Sequence, residues 1–197
     1  LYHLLHWKLH YNRSLYPSNT RIWNAQIMIL PEDLETRLTE LCQRLLDQHS
    51  ARLIVDPLGQ SSGYWFGGGN ICLNPTGQIL ISGRFRNQGD ARTGTGEGTR
   101  GLECAVFAAD SPHAKFEKVL SFSKKDLSHS EEVVSIEGVS LLPKLSNENE
   151  YDFFISTEKK MPYPKSLINF QKPGTGVWSI DLLKSNDGMN SFDLSQM

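Results

Sequence analysis

Between Ser82 and Glu103 the chain reads SGRFRNQGDARTGTGEGTRGLE, which places Arg84, Arg86, Arg92 and Arg100 within 17 positions, among Asp90, Glu97 and Glu103. A guanidinium is planar, permanently charged and able to make paired hydrogen bonds to a carboxylate or to vicinal oxygens. Such a stretch either lines an oxygen-rich ligand or staples itself together through its own carboxylates. Just upstream, Tyr64-Trp65-Phe66 runs into Gly67-Gly68-Gly69-Asn70. Consecutive glycines lose backbone entropy on folding, and they suit a sharp bend or a close approach to the backbone. One reading is a cleft in which Trp65 offers a flat apolar face to a sugar ring and Asn70 projects from a strand mouth. The plainer reading is a tight turn beside a core tryptophan.

A third candidate is Glu137, in Ser135-Ile136-Glu137-Gly138-Val139-Ser140. A carboxyl among apolar neighbours is desolvated, which favours the protonated form that a general acid needs. The alternative is a glutamate paired with one of the arginines above. Glu158, in Ser156-Thr157-Glu158-Lys159-Lys160, reads as a solvated turn residue. Gly96-x-Gly98-x-x-Gly101 fits a dinucleotide fingerprint as a string. It leads into a β-type run, where that motif requires the start of a helix. Neither GxxxxGK[ST] nor HExxH occurs, which disfavours P-loop and zincin chemistry.

The elements that must position these residues are legible from period and punctuation. Pro31 suits the first position of a helix, Glu32, Asp33 and Glu35 complement its dipole, and leucines from Leu34 to Leu46 recur at helical spacing as a packing face. From Ile54 onward the pattern becomes that of strands: Ile71–Leu73, Gln78–Phe85, Leu102–Ala109, Phe116–Phe122, Val133–Leu142, Tyr151–Ser156 and Gly176–Leu183. Asn74-Pro75-Thr76-Gly77 and Asp110-Ser111-Pro112-His113 are the turns of two hairpins. Short strands with frequent turns indicate an all-β sandwich, barrel or propeller, and the long polar loops between hairpins favour blades. The chain thus divides into a lead-in and helix over 1–53, an all-β body over 54–184 and a polar tail over 185–197. No role follows from the residues before the helix.

Bulk properties narrow the function classes. With 20 basic and 22 acidic side chains among 197 residues, the net charge is −2, and no block of like charge marks a nucleic-acid binder. Cys42, Cys72 and Cys104 form no CxxC pair, and the last two sit in apolar runs where a thiol serves as a small buried hydrophobe. No apolar run approaches the roughly 20 residues of a membrane span, and no signal peptide is visible, so localisation stays open. The chain begins at Leu1 rather than Met, which reads as a fragment or a processed product, and the polar tail from Ser185 to Met197 ends without a closing strand, as an unfinished toroid would. Asn12-Arg13-Ser14 has the form of a glycosylation acceptor.

The order GGGN, LNPTGQILISGRFR, a polar loop, ECAVFAADSPHAKFEKVLSF, then IEG followed by VSLL resembles the five-bladed β-propellers of glycoside hydrolase families 32 and 43 and their relatives. This resemblance covers about Gly59 to Leu183 and implies an incomplete propeller of antiparallel hairpin blades. It implies three carboxylates at an axial funnel, with Glu137 as the acid and Asp90 in place of the central aspartate. Where the family has its first aspartate this chain has Asn70, and an amide neither takes a proton nor attacks an anomeric carbon. Asp90 or Glu103 would take that task, or the pocket binds without hydrolysing. The implied ligand is a carbohydrate; the alternative is a non-catalytic propeller that binds an anionic glycan or a protein partner through the face bearing Arg84, Arg86, Arg92 and Arg100. No cofactor is expected, and a structural calcium held by loop oxygens is compatible with the architecture.

Overall fold

A computed structural model describes residues 30–61, 63–87, 101–144, 147–171 and 175–195. The chain forms two compact units, Leu1–Ala51 and Arg52–Met197. In the first, α1 spans Glu32–Leu45, with Pro31 at its N-cap and Glu32, Asp33 and Glu35 in the first turn. Its leucine stripe is present, but none of its side chains is buried.

The second unit is built from two antiparallel sheets. In the first sheet, β1 (Trp65–Gly67) and β2 (Ile71–Leu73) lie along one edge of β3 (Ile79–Arg86), followed by β4 (Glu103–Ala109) and β5 (Glu117–Ser123). Gly67 opposes Arg84 and Ile71 opposes Ile81, so residues 68–70 face only 82 and 83. The glycine run is therefore a bulge in one broken strand. The close approach is to Ser82: a Cβ on Gly69 would stand 2.1 Å from its carbonyl oxygen. The β2–β3 turn is held by Asn74, whose Oδ1 accepts from the N–H groups of Thr76 and Gln78 at 3.1 and 2.8 Å. Gly77 supplies the positive φ of +85°.

The second sheet is a meander of β6 (Val133–Pro143), β7 (Tyr151–Lys159) and β8 (Val177–Ser185). The two sheets share one core. Leu80, Cys104, Val106, Ala108 and Phe122 of the first pack against Val139, Leu141, Phe153, Ile155 and Leu183 of the second. Each large side chain buried here stabilises by about 1.5–3 kcal/mol. The opposite face of the first sheet has its own cluster of Phe85, Ala105, Phe107, Ala109 and Phe116, with Phe66 against two of its rings. Mostly antiparallel strand with one early helix is therefore the observed class. Among the described residues the two sheets do not close into a ring.

Several features depart from the expected ones. β1, the four-residue helix α2 (Lys124–Leu127) and a 3₁₀ turn over Lys165–Phe170 had no period to announce them. Glu158 is not a solvated turn residue. It lies within β7, 0 % exposed, and its Oε1 accepts the Gly176 N–H at 2.7 Å. Alternation read as polarity missed it, because the N–H that holds the carboxylate belongs to Gly176, 18 residues further along the chain. The polar tail also contributes to the core, since Met189, Phe192 and Leu194 pack on it and Asp193 N–H bonds the Lys184 carbonyl at 2.9 Å.

Candidate functional site

Alternation along β3 sends Leu80, Ser82, Arg84 and Arg86 to the face that meets the second sheet, and Ile79, Ile81, Gly83 and Phe85 to the other. Trp65 pairs with Arg86 across the strands and shares that first face. Its ring lies beneath the Arg84 guanidinium at 5.1 Å while staying 40 % exposed. Glu137 comes from the second sheet. β6 shifts register between Ile136 and Gly138, so Glu137 is an unmatched residue at a bulge and turns away from β7. Its carbonyl accepts from Arg84 Nε, its Oε2 is 3.5 Å from Arg84 Nη2, and its Oε1 accepts from Ser135 Oγ at 2.7 Å. The two side chains are 8 % and 9 % exposed. Glutamate paired with arginine, one of the two sequence readings, is the observed arrangement.

Asn70 is committed as well. Its Nδ2 donates to the Leu141 carbonyl at 3.0 Å, while its Oδ1 accepts from Leu141 N–H at 2.8 Å and from Ser82 Oγ at 2.7 Å. Its amide is therefore spent on the neighbouring strand and on Ser82. It belongs to a series of caps on the edge of β6. Ile136 N–H bonds the Gly101 carbonyl and Val139 N–H the Gly68 carbonyl, both at 3.0 Å, and Lys124 Nζ reaches the Val134 carbonyl at 2.8 Å. Loops and side chains here do what a strand would otherwise do for buried backbone groups. The GGGN signal was visible in the sequence, but the partner strand 70 residues away was not.

Glu103 does not join this corner. It opposes Phe85 across the strands and bonds Lys118 Nζ at 2.7 Å, with Lys118 also over the Phe85 ring. That is the opposite face of the first sheet from Arg84. Asp90, Arg92 and Arg100 lie outside the described residues, as do Glu97 and the rest of that loop. Arg86 is buried on the same face as Arg84. A hollow of about 420 Å³ does adjoin the glycine bulge, walled by Leu53, Ile54, Phe66, Ile71 and Ile81. Its walls are mostly apolar, with Arg52, Asn70 and Ser82 also lining it, and Arg84 and Glu137 are not among them.

The corner thus combines a part-exposed indole, a guanidinium seated on it and a carboxylate that neutralises the guanidinium. Stacking a flat apolar ring is within its reach. Proton transfer would first require Glu137 to leave Arg84 and Ser135. Cys104 offers no nucleophile, because burial pushes its thiol up to about 12. Among the described residues no group of three or more His, Cys, Asp or Glu is placed to hold a metal ion, and no helix is long and apolar enough to cross a membrane. Compared with known proteins, the chain matches no family model, no curated protein and no solved structure.

Proposed function

We propose that this chain is a propeller-type carbohydrate-binding protein that does not hydrolyse its ligand, with Trp65 as the platform on which a sugar ring stacks. The propeller part rests on the strand plan. A broken inner strand followed by β3, β4 and β5 makes a four-stranded antiparallel meander, and a second meander packs on it face to face. The binding part rests on one observation: the Trp65 indole is fixed by Arg84 at 5.1 Å yet remains 40 % exposed. A rigid aromatic face loses little conformational entropy when a ligand settles on it.

Binding without turnover is favoured by where the carboxyl and amide groups are spent. Glu137 is engaged by Arg84 and Ser135, Asn70 is engaged by Leu141, and Glu103 faces the other side of the sheet. Two carboxyls flanking one scissile bond, as glycoside hydrolysis needs, do not come together among the described residues. The test is a glycan panel that includes neutral and acidic sugars, read by calorimetry and by product analysis. Wild type should bind at least one glycan without releasing product, Trp65→Phe should weaken that binding and Trp65→Ala should abolish it. Binding unaffected by Trp65→Ala, or no binding by wild type, would reject the platform. Release of a reducing sugar would restore the hydrolase reading.

A further inference from the structure

The sheet edges of the second unit are treated very differently. The edge of β6 is capped by Gly101, Gly68, Asn70, Arg84 and Lys124. The edge strand β5 exposes Glu117 and Lys118, and its register against β4 shifts at Val106/Phe107. Charge and bulging are standard devices against edge-to-edge pairing. Over Trp178–Leu182 β8 has no bulge, and its one charged residue, Asp181, is already held by Lys159 and Thr157. Among the described residues its outer side carries a single isolated bridge, Lys184 to Asp193.

That bridge fixes which β8 groups point outward. Asp193 N–H bonds the Lys184 carbonyl at 2.9 Å, so Lys184 directs its backbone groups to the outer edge. By strand alternation Trp178, Ile180 and Leu182 do the same. Their side chains share one face and are 59 %, 72 % and 38 % exposed. Among the described residues, an unpaired ladder and an apolar stripe therefore coincide on the same three residues.

From this coincidence we infer that β8 pairs antiparallel with β8 of a second copy of this chain, about a two-fold axis at Ile180. The register follows from the residues. Ile180 sits opposite Ile180 of the other copy and Trp178 opposite Leu182, so every outward-facing backbone group meets a like group of opposite polarity and every apolar side chain an apolar one. Moving the axis to Leu182 would place Trp178 opposite the bridged stretch beyond Lys184 and leave it without a partner. Asp181 poses no obstacle, because Lys159 Nζ at 2.8 Å and the Thr157 hydroxyl at 3.2 Å already hold its carboxylate. Such an isologous contact extends a three-stranded sheet to six strands and needs no residue of the Trp65 corner.

The experiment is sedimentation of the full chain across a concentration series, with near-UV circular dichroism as the control for folding. Wild type should approach twice the chain mass. Ile180→Lys sets two ammonium groups at the axis, and Ile180→Pro removes an outward N–H that β7 does not use, so each should sediment as a folded monomer. An equimolar mixture of I180K and I180E should recover the dimer, since opposite charges then meet at the axis. A wild type that stays monomeric throughout, or a dimer that survives in whichever of the two variants folds, overturns the inference.

Discussion

The side-chain amide of Asn70 straddles Leu141, donating to its carbonyl at 3.0 Å and accepting its N–H at 2.8 Å, so that one residue of the first sheet satisfies both backbone groups of one residue of the second. This fixes the amide orientation without ambiguity, since the carbonyl needs a donor and the N–H an acceptor. It also explains why an aspartate would be a poor substitute.

Asn70→Asp keeps the acceptor and loses the donor, leaving the Leu141 carbonyl against a carboxylate. Denaturant unfolding should show a loss of about 1–3 kcal/mol, with no gain of glycosidase activity. Unchanged stability would show that the clamp carries little of the contact between the sheets.

Arg84 and Glu137 form a nearly buried pair, so removing one charge strands the other. Glu137→Gln should cost about 3 kcal/mol, whereas Arg84→Met with Glu137→Leu should cost clearly less. A double variant as unstable as the sum of the singles would place the energy in contacts other than the ion pair, a distinction that a double-mutant cycle reads directly.

Gly69 and Gly77 separate two uses of glycine. Gly69→Ala drives a Cβ to 2.1 Å from the Ser82 carbonyl oxygen, a backbone atom that cannot swing aside. Thermal unfolding should register more than about 2 kcal/mol of destabilisation. Gly77→Ala meets open space and strains only a φ of +85°, which should cost roughly 1 kcal/mol.

A pH dependence is expected at α2. The Ser123 hydroxyl and then the Ser123 N–H hold the Asp126 carboxyl below the usual carboxylate range, within a reciprocal capping box. A folded-state value that is depressed means the stabilisation is fully present above the unfolded value and is lost as pH falls through the folded one. Asp126→Asn should therefore be less stable than wild type at neutral pH, and the gap should close as pH falls through the depressed folded-state value, below the usual carboxylate range. A gap that persists in acid would point to shape rather than charge.

Local chemistry accounts for much of the strand plan. β2, β4, β6 and β8 fall within two residues of where alternation and turn residues put them, because those signals act over a few neighbours. The Asn74–Gly77 turn and the acidic start of α1 are of the same kind. β1 was missed because three residues ending in glycine carry no readable period. Glu158 was misread because a glutamate followed by two lysines looks solvated until the Gly176 N–H, 18 residues on, is seen to hold it in the interior.

The sequence by itself determined that this is a mostly β chain with one early helix, that a glycine bulge follows an aromatic run, and that Arg84 and Glu137 were worth watching. Only the tertiary structure decided that Arg84 and Glu137 meet each other, that Asn70 serves Leu141, and that Glu103 looks the other way. The physical reason is that a side chain's face follows from strand register, and register depends on bulges. Those at Gly68–Asn70 and Glu137 are set by a strand-to-strand fit between segments about 70 residues apart, which no short window contains.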